Sequence, residues 1–367
     1  MTRFLSQKIR FYSFVCITLL LFVHGYNLRE TYLTPFSLVN EPLTITTFLE
    51  YFFANGLLRF RIPLLFLISG YIFALQDHKP YVERIKRRFF TLIIPFLIWS
   101  AVGLFVTYLW QQNEVTAQAV RNAQLLPAVE EKPLKDFTVY QILYRWAFRP
   151  LAFHLWFIRS LFIYNLAYPF IKWMVTKSAI TWLSLVFIFW HTIFSFLFVE
   201  GQGLFFFSLG ILIQKRNYPI HKTPHGYSHF LSWLFFIGIS VIKSFMAFEL
   251  ETSPVAHFIL YALHDVSIAA GIIAVWFGGD QLVKWCMSQT WFLQLTSFSF
   301  VIYALHVPLI HYTTQLAFIF WRNIPNFRLI TYVVAPTTVL LFCIAFAALF
   351  RTTWPKGYKI ATGGRGF

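Results

Sequence analysis

Within otherwise strongly apolar stretches of this chain stand His24, Arg59 with Arg61, His154 with Trp156 and Arg159, and His306. An ionisable group deep in a membrane helix costs about 2.5–3.5 kcal/mol on insertion scales, so each such position is a candidate for function. An imidazole can take a proton near neutral pH, and a guanidinium can hold an oxyanion or an anionic group through a planar fork of donors. A base beside such a cation is the equipment for moving an acyl group onto a hydroxyl. These groups come from four separate apolar stretches yet share one depth, which argues for a common site. Each has a plainer role open to it. His24 next to Gly25 can cap a helix, Arg61 and Arg159 can snorkel to headgroups, His154 can be interfacial, and His306 can be a buried hydrogen-bonding group. Lys243, His191, His264 and Asp265 also fall in apolar stretches but show no common face.

Helices must position these groups. With 58% hydrophobic and only 12% charged residues, a chain of 367 residues carries more apolar surface than one soluble core can hide. The expected fold is all-α, a polytopic transmembrane bundle, because long apolar runs satisfy their backbone in lipid only as helices. About ten spans are expected, near Phe11–Tyr26, Pro63–Leu75, Phe89–Trp110, Leu155–Met174, Ile180–Val199, Leu204–Ile213, Phe230–Phe248, Val255–Phe277, Trp291–Tyr312 and Leu329–Phe350. Leu204–Ile213 is short, and the second span can begin at Phe48 as a helix broken around Arg59 and Arg61. Arg3, Lys8 and Arg10 ahead of the first run resemble a signal peptide, but no small-residue cleavage site follows, so the run reads as a retained helix.

Lys and Arg gather on the cytoplasmic side. An N-inside arrangement places Arg10, Arg84, Arg87, Arg88, Lys172, Lys215, Lys284 and Arg351 inside, while Glu41, Glu114, Glu130, Glu131, Glu200, Glu249 and Glu251 mostly fall outside. The net charge of +16 is then topology, and no basic recognition domain points to nucleic acid. Cys16, Cys286 and Cys343 suggest no disulfide framework, and neither a metal-ligand set nor a bound cofactor is expected. Residues 1–354 read as the membrane domain and 355–367 as a flexible C-terminal tail. Gln111–Lys135 reads as an outer loop. The competing class is a carrier of an anion or sugar, which also needs buried polar groups at one depth, though no internal repeat supports it.

Several segments together resemble the acyltransferase 3 family of membrane enzymes that modify glycans. Span one ends in Leu-Leu-Leu-Phe-Val-His24, similar to the family's first helix with its essential histidine. The segment from Arg61 through Pro63 to Ser69-Gly70-Tyr71 resembles the second helix, and Arg84-Ile-Lys86-Arg87-Arg88 resembles a basic Arg-x-x-Arg inner loop. His154-Leu-Trp156-Phe-Ile-Arg159 and the run from Ser297 through Tyr303 to His306 resemble two later signatures. The family's basic residue eleven positions before the histidine is replaced by Ser13. Arg10 falls within about 40° of the His24 face and is the candidate substitute.

The resemblance implies a membrane O-acyltransferase drawing an acyl group, acetyl foremost, from an acyl-CoA in the cytoplasm and placing it on a carbohydrate or glycan hydroxyl. It implies His24, Arg61 and Arg159 as catalytic, Arg10, Arg84, Arg87 and Arg88 as donor-binding, and His154, Trp156, Ser69, Tyr303 and His306 as acceptor or pocket residues. The implied location is the inner (plasma) membrane, multi-pass, with both termini cytoplasmic.

Overall fold

The computed structural model describes residues 1–26, 34, 36–126, 132–192, 195–196 and 198–366. Glu130 and Glu131, expected outside, lie beyond the described residues. The chain runs through α1 (Arg3–His24), α2 (Ile45–Tyr51), α3 (Arg61–Leu75), α4 (Tyr81–Arg88), α5 (Ile94–Trp110), α6 (Glu114–Asn122), α7 (Val139–Ala147), α8 (Trp156–Leu166) and α9 (Tyr168–Lys177). It continues through α10 (Ala179–Thr192), α11 (Gly201–Lys215), α12 (His229–Glu249), α13 (Pro254–Gly278), α14 (Asp280–Ser288), α15 (Thr290–Thr296), α16 (Ser299–Trp321), α17 (Phe327–Thr353) and α18 (Pro355–Ala361). Among the described residues the only strands are β1 (Ser195–Phe196) and β2 (Val199–Glu200), paired antiparallel.

Six helical runs are long and apolar enough to cross a bilayer: Arg3–His24, Ile45–Leu75, Tyr81–Trp110, His229–Glu249, Pro254–Gly278 and Phe327–Thr353. A seventh forms if α15 and α16, bent by 57°, are one span. Six or seven runs therefore pass by length and composition against the expected ten, and the shortfall lies in the middle of the chain. There the apolar run Leu155–Met174 is divided at Ala167, where Pro169 cannot continue the hydrogen-bond ladder and a new helix starts. The run Ile180–Val199 yields 14 helical residues before turning into the strand pair. The run Leu204–Ile213 lies in α11, whose 15 residues rise only about 22 Å, short of a ~30 Å hydrocarbon core.

Length did not decide how α11 is held. A Cβ on Gly70 of α3 would stand 2.1 Å from the Phe207 carbonyl oxygen, and one on Gly210 of α11 would stand 2.1 Å from that of Leu67. The two helices thus meet backbone to backbone, the contact that small residues permit where lipid gives no hydrophobic drive to association. Phe105, Phe230, Phe258 and Leu341 point outward, as lipid-facing groups do.

One end of the bundle is pinned by Asp77, just after α3. Its carboxylate takes Arg84 Nη1 at 2.8 Å, Lys172 Nζ at 2.8 Å, the Tyr168 hydroxyl at 2.7 Å, and Lys215 Nζ. Burial alone would raise the Asp77 pKa, but the hydrogen bonds from Lys172, Lys215, Tyr168 and Arg84 outweigh it and hold the carboxyl well below the usual range. A carboxyl depressed in the fold stabilises it above the unfolded pKa near 4, and that contribution is lost as pH falls through the folded value. Asp77→Asn is expected to destabilise the protein by about 1–3 kcal/mol at pH 7, read as a lower melting temperature in detergent. An unchanged melt would show that the ion cluster does not tie these helices.

The segment after Trp354, read as a flexible tail, carries α18 and a glycine-rich hook against the same end. Trp99 Nε1 donates to the Ala361 carbonyl at 2.8 Å, Arg351 Nη1 to Ser297 Oγ at 2.9 Å, and Arg365 Nη1 to the Thr91 carbonyl at 2.8 Å. At the opposite end Arg328 bridges Glu41 at 2.8 Å and Glu50 at 2.7 Å, tying α17 to α2 and the segment before it.

Candidate active site

α1 delivers His24 at its last residue, and Gly25 lets that end approach α17, because a Cβ there would stand 2.7 Å from Pro336 Cγ. The His24 ring is half-buried, with its centroid 5.5 Å from His306, 6.0 Å from His311 and 5.2 Å from Phe153. His154, on the short 3-10 turn that opens α8, lies 4.5 Å from His306 and 5.0 Å from Tyr303. Four imidazoles from three parts of the chain therefore stand in one cluster. Among the described residues, no group of three or more His, Cys, Asp or Glu side chains is arranged to hold a metal ion.

The cluster depends on a break in α16. Pro308 has no N–H to donate, and Val307 adopts extended backbone (φ −108, ψ 131), so the helix is interrupted just after His306. His306 Nδ1 lies 3.0 Å from the Ile302 carbonyl and 2.8 Å from that of Tyr303, acceptors that require this nitrogen to carry the proton. Its Nε2 then presents a lone pair, and that atom is buried without a hydrogen-bond partner among the described residues, as are both ring nitrogens of His154 and Nε2 of His311. Unpaired buried polar atoms in such number mark a place built for something else to bind. The Tyr303 hydroxyl donates to the His154 backbone carbonyl at 2.7 Å and fixes the turn carrying that histidine.

Arg61 supplies the cation. The run from α2 to α3 departs from regular α-helix over Phe52–Phe60, as a π turn and then a 3-10 turn, where the sequence suggests a break before Pro63. The Arg61 side chain is 2% exposed, its Nε donates to the Leu58 carbonyl, and Nη1 is buried without a hydrogen-bond partner among the described residues. The guanidinium is close enough to His24 and His306 to act on both electrostatically.

Other expected site residues lie elsewhere. Arg159 donates to the Phe148 carbonyl and lies 4.0 Å over the Phe198 ring, making no contact with the four imidazoles. Trp156 stands beside Phe66, centroids 6.0 Å apart, and Ser69 Oγ donates to Leu65 within its own helix at 2.7 Å. Arg10 donates to Thr296 Oγ1 at 2.7 Å and to the Leu293 carbonyl at 2.8 Å, holding α1 to α15. Arg84 is engaged by Asp77 and, through Nη2, by the Phe73 carbonyl at 2.6 Å. Arg87 is exposed, and Arg88 lies 5.4 Å over the Phe73 ring. Lys243, His264, His191 and Asp265 do meet: Lys243 Nζ reaches the Asn55 carbonyl at 2.6 Å and His264 Nδ1 at 3.0 Å, and His191 Nε2 reaches Asp265 at 2.8 Å.

Residues 7–350 match the acyltransferase domain that defines the acyltransferase 3 family. The chain belongs to the acyltransferase 3 family. It is therefore an acyltransferase. This acyltransferase is also similar to the succinoglycan biosynthesis protein ExoH of Rhizobium meliloti (strain 1021), with 24% identity over 322 residues, 86% of this chain and 82% of the relative. No solved structure matches it.

His311 was not among the residues singled out in the sequence of this acyltransferase. On a straight helix it would sit about 140° around from His306, on a different face. Only the interruption at Val307 lets both rings reach His24, and Pro308, which follows His306 directly, was the available signal.

Proposed function

We propose that this protein is a multi-pass enzyme of the inner (plasma) membrane, with both termini cytoplasmic, that moves an acyl group, acetyl foremost, from an acyl-CoA thioester to a carbohydrate or glycan hydroxyl. The observation that carries this reading is the cluster in which His24, His154, His306 and His311 meet with Arg61 near them. His24, half-buried and at the end of its helix, takes the proton of the acceptor hydroxyl. The oxygen attacks the thioester carbonyl, the C–O bond forms, and the negative charge on the carbonyl oxygen is held by the Arg61 fork. Collapse breaks the C–S bond, and the leaving thiolate takes the proton back from the imidazolium. His306, its Nδ1–H fixed on backbone carbonyls, offers Nε2 as the neighbouring acceptor that orients the hydroxyl. The similarity to a succinoglycan biosynthesis protein supports a carbohydrate acceptor.

The test is incubation of the purified protein with labelled acetyl-CoA and bacterial exopolysaccharide oligomers. Thiol release that depends on the oligomer, with label covalently attached to it, is the expected result. Uptake of sugar into vesicles without covalent change would replace this reading by the carrier.

A further inference from the structure

The end of the bundle that holds the C-terminus contains a second set of cations, which the acyl-transfer chemistry above does not use. Arg365 lies on the hook Gly363-Gly364-Arg365-Gly366, whose glycines adopt φ of +61°, +78° and +84° at positions 363, 364 and 366, a region open to glycine and rarely to other residues. A Cβ on Gly363 would stand 2.7 Å from Thr91 Cα, and one on Gly366 would stand 2.2 Å from the Ser297 carbonyl oxygen. The hook is therefore seated against α15–α16 and the start of the α5 run, and Arg351 Nη1 also reaches the Gly366 carbonyl at 3.4 Å. This seating turns the Arg365 side chain inward, with its guanidinium carbon 4.7 Å from the Phe300 ring centroid.

Arg365 is held at the helical turn that follows Arg88, and among the described residues neither guanidinium is paired with a carboxylate. Arg365 Nη1 donates to the Thr91 and Thr362 carbonyls at 2.8 and 3.2 Å, while Nε and Nη2 have no protein partner among the described residues. Arg88, three residues before Thr91, makes no hydrogen bond and no ion pair among the described residues, and it is close enough to Arg365 for the two charges to interact. Burial, and then the charge of Arg88, bring the Arg365 pKa down to about 10, so it remains charged at neutral pH. Like charges held together in partial burial are unfavourable unless an anion joins them. Arg84, by contrast, already has its anion in Asp77.

The pair also points the right way. Arg365 interacts with Tyr303 as well, and Phe300, Tyr303 and His306 follow one another up α16. From Phe300 to His306 the helix rises only about 9 Å, so a group held at Arg365 can feed an extended thioester arm to the histidines.

We propose that Arg88 and Arg365 form the seat for a phosphate of the acyl donor, making the C-terminal hook part of the donor site. This rests on the acyl-CoA reading above. The fork of a guanidinium suits a phosphate, and two such groups close to one another suit the clustered phosphates of a nucleotide-bearing thioester better than a neutral or singly charged donor.

Coenzyme A itself is the probe, titrated into the full-length protein in detergent by calorimetry, alongside steady-state kinetics with the acyl donor. Arg365→Ala and Arg88→Ala are each expected to weaken coenzyme A binding about 10- to 100-fold, the loss of one charge-assisted contact. Both are expected to raise the donor KM more than they lower kcat, with Arg365→Lys recovering part of the affinity. Gly366→Val, which displaces the hook while keeping the arginine, is expected to behave as Arg365→Ala. Because Arg88 makes no hydrogen bond among the described residues, its variant separates binding from folding, and wild-type affinity in Arg88→Ala overturns the paired seat. A fall in kcat with donor KM unchanged in Arg365→Ala overturns it as well and makes the hook structural. If the wild-type protein does not bind coenzyme A at all, the acyl-CoA reading itself fails.

Discussion

Replacing His24 by alanine is expected to cut acyl transfer by about 10²–10⁴-fold while leaving the protein folded in the membrane. Proximity to His306 and His311 places the His24 ring at the centre of the cluster, and it is half-buried where His154 and His306 are fully covered. Its removal deletes the group proposed to take the acceptor proton, an interaction made in the transition state, so kcat should fall and donor KM should change little. The structural cost is small, because α1 is held at its other end by the Lys8–Asp280 ion pair at 2.6 Å and by Arg10 on α15. The measurement is label transfer in washed membranes, normalised to the amount of folded enzyme. Wild-type turnover in His24→Ala would remove the base from the mechanism and shift attention to His154 and His306.

The largest stability effect is expected at Gly70. Leucine there must displace the α11 backbone, since its Cβ alone would stand 2.1 Å from the Phe207 carbonyl oxygen and 3.1 Å from Phe207 Cα. Neither helix can yield, because Gly210 makes the reciprocal contact with Leu67 and Tyr71. Overfilling a close-packed interior typically costs about 1–3 kcal/mol, and a backbone-to-backbone clash belongs at or above the top of that range. Gly70→Leu is therefore expected to give little or no folded protein by fluorescence size-exclusion. Gly238→Ala provides the contrast. Nothing lies within 4 Å of its added Cβ, so this helical substitution is expected to be neutral or stabilising by up to about 1 kcal/mol. Equal melting of Gly70→Leu and wild type would mean that α11 is not packed against α3 as described.

The legible part of the site was the part set by local cost. His24, Arg61, His154 and His306 could be singled out because a polar side chain inside an apolar run is conspicuous wherever the helix lies. Arg84 and Arg88 look alike in the sequence, two members of one basic cluster. The fold engages the first with Asp77 and leaves the second open beside Arg365, a residue 277 positions away in a segment that reads as a loose tail. Arg159 sits in a motif with His154, yet it is turned to Phe148 and Phe198 by the loop and strand packed beside α8. The count of about ten spans is not confirmed in the middle of the chain, because hydropathy measures composition. It does not register that Pro169 divides one helix or that α11 is held by helix backbones as well as by lipid.

Composition and the order of motifs were enough to establish a helical membrane protein, its enzyme class and the side chains capable of acid–base work. Those are properties summed residue by residue along the chain, and solvation energy in lipid is a local quantity. Which of the side chains meet was decided by three-dimensional packing: the interruption at Val307 that admits His311, the close approach of Gly25 to Pro336, and the glycine hook that carries Arg365 inward. Each depends on the rotation of one helix against another, and no single stretch of sequence contains that information.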